Sequence, residues 1–253
     1  METAELQSIY IMWLRQLKLF VRSKSRLVSS VVQPLFFLFI LGSGFRVATF
    51  EGVTDYMDFL APGIIAMAIM FSSMFTGISV LWDKQFGFLQ EVLVAPISRF
   101  SIIIGRTLGG ATVALIQGFI ILLISLALGV QITGIAGLGL TVLFMMLTAF
   151  TAVGFGLVLA SLMEDFQGFQ LIMNLIIMPL LLLSSAFIPV TSHPLMKTIS
   201  QFNPLFYMVD GLRGSLIRGV ATVNPPLFDL LIVLIICIVT ISTGSFLFSR
   251  SEV

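Results

Sequence analysis

The stretch Asp83-Lys84-Gln85-Phe86-Gly87-Phe88-Leu89-Gln90-Glu91-Val92-Leu93-Val94-Ala95-Pro96-Ile97-Ser98-Arg99 is a polar interruption between long apolar runs. Residues 59–81 before it and 107–163 after it carry no charged side chain. A central Asp, Lys or Arg in hydrocarbon costs about 2.5–3.5 kcal/mol. The interruption must therefore lie outside the apolar layer that its flanks are built to enter. Phe88, Val92 and Ala95 recur at helical spacing, as do Leu89 and Leu93, and Pro96 stops the run. A short amphipathic helix held at the membrane face between two spans reads as a docking element for another protein.

Charged residues make up 10% of the chain and hydrophobic ones 58%, against about 25% charged in an ordinary soluble domain. A soluble fold of 253 residues would have a surface missing its charges, so this is an integral membrane protein. No basic patch with interleaved aromatics is present, which argues against a nucleic-acid partner. Cys237 is the single cysteine, so an intramolecular disulfide is impossible and a cysteine metal site is not expected.

Residues 1–26 contain Arg15, Lys18, Arg22, Lys24 and Arg26 and lack the compact apolar core of a cleavable signal. Leu6, Ile9, Tyr10, Trp13, Leu14, Leu17, Phe20 and Val21 form one helical stripe with cations opposite, the pattern of an interfacial helix. A span needs about 20 apolar residues. Candidates are 27–45, interrupted by Gln33-Pro34, then 59–81 with Pro62-Gly63 near its start. Residues 107–163 suit two spans divided near Gly129 to Gly139. After a turn at Glu164-Asp165 comes 168–188, kinkable at Pro179, and the last span is 227–248. The expected fold is all-α, with six transmembrane helices in one permease-sized domain over 1–253. Residues 82–104 form a cytoplasmic segment and 189–226 an external, re-entrant one.

Orientation follows from cations, which accumulate on the cytoplasmic side. With the N-terminus inside, that side holds Arg15, Lys18, Arg22, Lys24, Arg26, Lys84, Arg99, Arg106 and Arg250, nine of the 13 Lys and Arg. Arg46, Lys197, Arg213 and Arg218 fall opposite. Both termini and the interruption are expected in the cytoplasm.

Gly87-Phe88-Leu89-Gln90-Glu91-Val92-Leu93-Val94-Ala95-Pro96-Ile97-Ser98-Arg99, followed by Gly105-Arg106, resembles the Gly-x-x-x-Glu-x-Leu-x-x-(Ala/Thr)-Pro signature of type-two ABC exporter permeases. Asn203-Pro204-Leu205-Phe206-Tyr207-Met208-Val209-Asp210-Gly211-Leu212-Arg213-Gly214 is similar to the Asn-Pro-leading segment that this family places before its last span. The likeness covers essentially the whole chain and is nearest to the drug-resistance and antibiotic exporters. Leu89-Gln90 departs from the Thr-Leu common before the family's Glu. The resemblance implies a transmembrane subunit in a prokaryotic cell membrane, working as a homodimer or related heterodimer with a separate ABC ATPase. It further implies outward movement of a drug, lipid or glycan by alternating access. No Gly-x-x-x-x-Gly-Lys-Ser/Thr phosphate loop occurs in the chain. ATP and magnesium therefore belong to the partner, and no cofactor is expected here. Gly105-Arg106-Thr107-Leu108-Gly109-Gly110 is read instead as small residues that let helices approach closely.

Glu91 is placed either to pair with a cation of the ATPase or as a solvated charge. Phe88, Leu89, Val92 and Leu93, ended by Pro96, supply its apolar contacts or anchor the helix to lipid. Arg99 and Arg106 are assigned mainly to orientation. Gln117 and Asn174 are the long polar side chains deep in the third and fifth spans, candidates for the pathway or for interhelical hydrogen bonds. His193 is lone and beside a proline, and suggests no metal site. An ion-coupled secondary transporter is the alternative, but it should place an ionisable residue deep in a span, whereas these charges sit at span ends. A membrane enzyme lacks its His, Asp or Glu cluster.

Residues 205–218 form the last candidate. Leu205, Met208, Val209, Leu212 and Leu216 make an apolar stripe. At 1.5 Å per residue the helix is about 21 Å long, short of the roughly 30 Å hydrocarbon core. Asp210 and Arg213, three apart, are expected to pair on its polar face, with Gly211, Gly214, Ser215 and Arg218 along one edge. The expectation is an outer-leaflet helix that turns back at Gly219 and caps the exit, with Asp210, Gly211, Arg213 and Gly214 as its gate.

Overall fold

The computed structural model describes residues 2–45, 55–87, 98–190, 194–217, 219 and 222–250. Among these the chain is helical: α1 Glu2–Arg22, α2 Lys24–Gly44, α3 Tyr56–Gln85, α4 Arg99–Ala127, α5 Ile135–Leu162, α6 Phe166–Leu182, α7 Pro194–Ser200, α8 Pro204–Leu216 and α9 Pro226–Arg250. A single antiparallel bridge, Ile132 to Ile217, ties the α4–α5 connection to the end of α8.

Apolar length and helix caps explain the boundaries. Asp55 caps α3 by accepting from the Met57 amide, and Ser98 caps α4 through the Ser101 amide. Asp165 accepts from Gly168 at 2.5 Å and starts α6, so the expected Glu164-Asp165 turn is also a cap. The division of 107–163 falls where expected, with Gly129 and Gly134 at φ +96° and +114° between α4 and α5. Pro34 does not break α2, which runs through it.

Among the described residues five helices, Leu27–Gly44 within α2 and then α3, α4, a Gly137–Leu162 stretch of α5, and α9, are long and apolar enough to cross a membrane. The expected span at 168–188 is shorter: α6 has 17 residues, about 26 Å. It stops because the chain turns at Leu183–Ser185, where Ser185 has φ 63° and its carbonyl is drawn to Arg213. The protein is a polytopic helical membrane protein.

α3 is the central post. Leu60, Ala61, Ile64, Ile65, Ala66 and Met67 are buried on all its faces, against α2, α4, α5 and α8. α9 packs along α5, and α1 along α4. Small residues set these approaches: a Cβ on Gly77 of α3 would lie 2.8 Å from the Gly156 carbonyl carbon of α5, and one on Gly154 2.9 Å from the Ile241 nitrogen of α9. The Gly105–Gly110 run works the same way. A Cβ on Gly105 would meet Met12 Cβ at 2.6 Å, and one on Gly109 would meet Gln16 Cβ at 2.7 Å. The expected apolar stripe of α1 is only partly used: Phe20 is buried, Ile9, Trp13, Leu14 and Leu17 are half-buried, and Leu6, Tyr10 and Val21 stay exposed, while Met12 and Gln16, outside the stripe, are buried.

Candidate functional site

The coupling residues expected from the sequence, Phe88, Leu89, Glu91, Val92, Leu93 and Pro96, lie outside the described residues, as does His193. What anchors the two helices flanking that segment is visible. Asp83 stands in the last turn of α3, where the helix dipole disfavours an anion by about 0.3–1 kcal/mol. Two guanidinium groups offset this. Arg15 of α1 donates to both carboxylate oxygens at 2.8 and 2.6 Å, and Arg106 of α4 donates to Oδ2 at 2.5 Å. The Arg106 side chain is fully buried, Asp83 9% exposed and Arg15 24%. Arg106 has a structural partner inside the bundle, beyond the orientation role expected of it.

Around this clasp Gln16 donates to Ser79 Oγ at 3.3 Å and Trp13 to Thr112 Oγ1 at 3.1 Å. Gln85 donates to the Glu164 carbonyl, and Arg99 to the Ser249 carbonyl at 2.7 Å. Trp82 meets the rings of Phe86 and Phe166 edge-on. The last turns of α3 and α9, the first turns of α4 and α6 and the middle of α1 thus meet at one end of the bundle.

The opposite end holds the second polar cluster. Asp210 and Arg213 pair at 3.9 Å, as their spacing predicts, but the polar face they share is buried, each side chain being 1% exposed. α8 is enclosed by α3, α5, α6 and α9, and its expected stripe, Leu205, Met208, Val209, Leu212 and Leu216, is buried. Asn203 caps the helix and its amide reaches the Leu180 carbonyl of α6 at 2.6 Å. Arg213 donates to the Ser185 carbonyl at 2.6 Å and to the Phe59 carbonyl at 3.2 Å. Its guanidinium lies 3.8 Å from the Phe59 ring centroid. Burial pulls Arg213 down to about 10, opposed by Asp210 and Tyr56, so it stays charged at neutral pH. Asp229, in the first turn of α9, joins the cluster. The sequence reading missed it, although a lone Asp opening an apolar span was the available signal.

The small edge of α8 is closed. A Cβ on Gly211 would run into the Phe144 ring of α5, and one on Gly214 would come within 2.9 Å of Pro226 Cγ and Thr222 Cγ2. Gly211→Leu is therefore expected to destabilise the protein by about 1–3 kcal/mol through overpacking. Transport should fall further than ATPase co-purification does in both Gly211→Leu and Gly214→Leu. Normal transport by both variants would remove the exit-gate assignment.

Beside the second cluster, α2, α3 and α6 line a partly open cavity of about 400 Å³. Phe37, Phe71, Met178, Leu181 and Phe187 are among its apolar lining residues, with Gln33 and Asn174 as amide side chains. Gln117 does not line it; that residue is buried and donates to Ser30 Oγ of α2. Among the described residues no group of three or more His, Cys, Asp or Glu is placed to hold a metal.

The family model for the ABC-2 type transporter matches residues 7–217. The chain is 31% identical over 204 residues to a putative transport permease, ycf38, of Cyanophora paradoxa, covering 78% of this chain and 70% of that one. It is 28% identical over 207 residues to the inner membrane transport permease YadH of Escherichia coli, covering 79% of each. A probable multidrug ABC transporter permease of Escherichia coli, YbhR, is 31% identical over 158 residues, 62% of this chain and 43% of that one. With the model match spanning most of its helices, the chain belongs to the ABC-2 type transporter family as a membrane permease subunit.

Proposed function

We propose that this chain is the permease half of an ATP-driven exporter, and that ATPase movements enter it through the Arg15–Asp83–Arg106 clasp. The observation that carries this reading is the position of the clasp. It joins the last turn of α3 to α4, the two helices that flank residues 88–97 in the chain, and fastens both to α1. A displacement of the segment then moves three helices as one body, which a coupling element requires. The segment faces the cytoplasm, both termini lie on that side, and the membrane is a prokaryotic cell membrane.

The α2–α3–α6 cavity supports the substrate class. Its volume falls in the roughly 300–1,000 Å³ range of small-molecule sites, and an apolar wall with two amides suits a hydrophobic or amphipathic molecule. The name of the multidrug relative agrees with that class. Leu171, Leu175, Met178 and Leu182 leave an exposed apolar stripe on α6 beside the cavity, where a second permease copy would complete the pathway. ATP and magnesium are held by the separate ATPase, and ATP binding there drives alternating access here.

Glu91→Arg tests the entry point. The expected result is loss of ATPase co-purification or of ATP-dependent transport, with the permease still inserted and folded. Leaving one partner of a charge-assisted contact unpaired costs on the order of 2–5 kcal/mol where the pair is buried. Unchanged co-purification together with unchanged transport would remove Glu91 from the coupling mechanism.

A further inference from the structure

Asp210 of α8 and Asp229 of α9 are 1% and 0% exposed. The turn between the two helices is threaded between their carboxyl groups. Asp210 Oδ2 accepts from the Val223 amide at 2.9 Å and the Asn224 amide at 3.0 Å. The Asn224 side chain in turn donates to Asp229 Oδ1 at 3.0 Å. One oxygen of each carboxyl group is thereby satisfied. The other two, Asp210 Oδ1 and Asp229 Oδ2, accept no hydrogen bond from a described residue, and the two side chains lie within hydrogen-bonding reach of each other.

The surrounding charges of the described residues do not balance this pair. Arg213 lies 3.9 Å from Asp210 Oδ1, an ion pair beyond hydrogen-bond length. Tyr207 on α8 faces Asp229, and Tyr56 on α3 lies near Arg213 while its hydroxyl donates to the Phe187 carbonyl. Asp58 of α3 is engaged by the Gln131 amide. α5 and α6, the other helices against α8, carry no ionisable side chain. Among the described residues one guanidinium thus meets two buried carboxyl groups, leaving a negative charge in excess and two acceptors without donors. A single proton cures both deficits, because O–H of one group then donates to the orphan oxygen of the other.

We propose that Asp210 and Asp229 form a proton-binding site, a carboxyl–carboxylate pair that fastens α8 to α9 while it holds its proton. Loss of the proton places two like charges side by side and loosens the hairpin that closes this end of the bundle. In the topology proposed above, that end faces the exterior. The site itself does not depend on that topology or on an ATPase. Burial raises Asp210 above the usual carboxylate range, against the pull of Arg213 and the turn amides. The sign follows: the pair's contribution is complete in acid and is lost as pH rises through its folded-state ionisation.

Infrared spectroscopy of the full-length chain in lipid nanodiscs tests this directly. The wild type should show a protonated-carboxyl stretching band at neutral pH that disappears on alkalinisation. Both Asp210→Asn and Asp229→Asn should lack it. Between about pH 5 and about pH 9 the wild-type thermal midpoint should fall, while Asp229→Asn, which mimics the protonated group, should hold its midpoint. A wild type without the band at neutral pH overturns the proposal whether or not the variants fold. So does a band that persists in both variants, or an identical pH slope in wild type and Asp229→Asn.

Discussion

Asp83→Ala is expected to be the most damaging single change at the end of the bundle where α3 gives way to α4. It removes the only carboxylate that Arg106 contacts among the described residues, at a guanidinium that is fully buried. Breaking a buried pair from one side costs about 3–5 kcal/mol, a large share of the roughly 5–15 kcal/mol that holds a typical domain folded. The Arg15 bond contributes less, since Arg15 is 24% exposed and screened by solvent. Among the described residues Nε and Nη1 of Arg106 already find no partner, so the group has no second anchor there to fall back on. Thermal unfolding in detergent and the yield of inserted protein measure the loss. The double variant Asp83→Ala with Arg106→Met should regain most of the stability, because an apolar side chain replaces the stranded charge. It should not regain ATP-dependent transport, since the link across the docking segment is gone. A single Asp83→Ala variant as stable as wild type contradicts the clasp.

Arg213→Lys is expected to fail almost as severely at the other end. Arg213 bonds the Ser185 and Phe59 carbonyls at once, pairs with Asp210 and stacks over the Phe59 ring. The Ser185 carbonyl belongs to a residue at φ 63°, so this bond also secures the turn that ends α6. A lysine keeps the charge but has neither the planar fork nor the stacking face. The expected loss is about 2–4 kcal/mol, from hydrogen bonds left unmade around buried groups. Arg213→Met goes further, because it also strands the Asp210 charge. The ordering wild type, then Arg213→Lys, then Arg213→Met in thermal midpoint is the check. A lysine variant that matches wild type would show that charge alone matters at this position.

The sequence revealed the helical membrane class because a period and an apolar length are local properties. The same holds for the break near Gly129 and Gly134, for the Asp165 turn and for the α8 stripe, all written in a few consecutive residues. The cluster geometry was not legible, since each cluster joins residues far apart in the chain: Arg15 to Asp83 to Arg106, and Phe59 to Ser185 to Arg213 to Asp229. Arg106 illustrates the limit. It lies beside an uncharged run, a placement that demands a partner, yet nothing local says whether that partner is Asp83, lipid headgroups or the ATPase. The burial of the polar face that Asp210 and Arg213 share was illegible for a related reason. Helical spacing puts them on one side, but the turn at 222–225 and α9 fold over that side. α6 ended short because a distant guanidinium captures the Ser185 carbonyl, which no propensity reports. Gln117 and Asn174 looked equivalent in sequence and part in space, one bonded to Ser30 and the other lining the cavity.

Co-reconstitution with the partner ATPase in proteoliposomes tests the central claim most directly, with uptake of a panel of hydrophobic dyes as the readout. The account predicts dye movement only when both subunits and ATP are present, abolished by removing the lysine of the ATPase phosphate loop. It also predicts that Asp83→Ala with Arg106→Met leaves ATP hydrolysis in place while dye movement stops. Dye transport by this chain alone, driven by an ion gradient and indifferent to ATP, would contradict it.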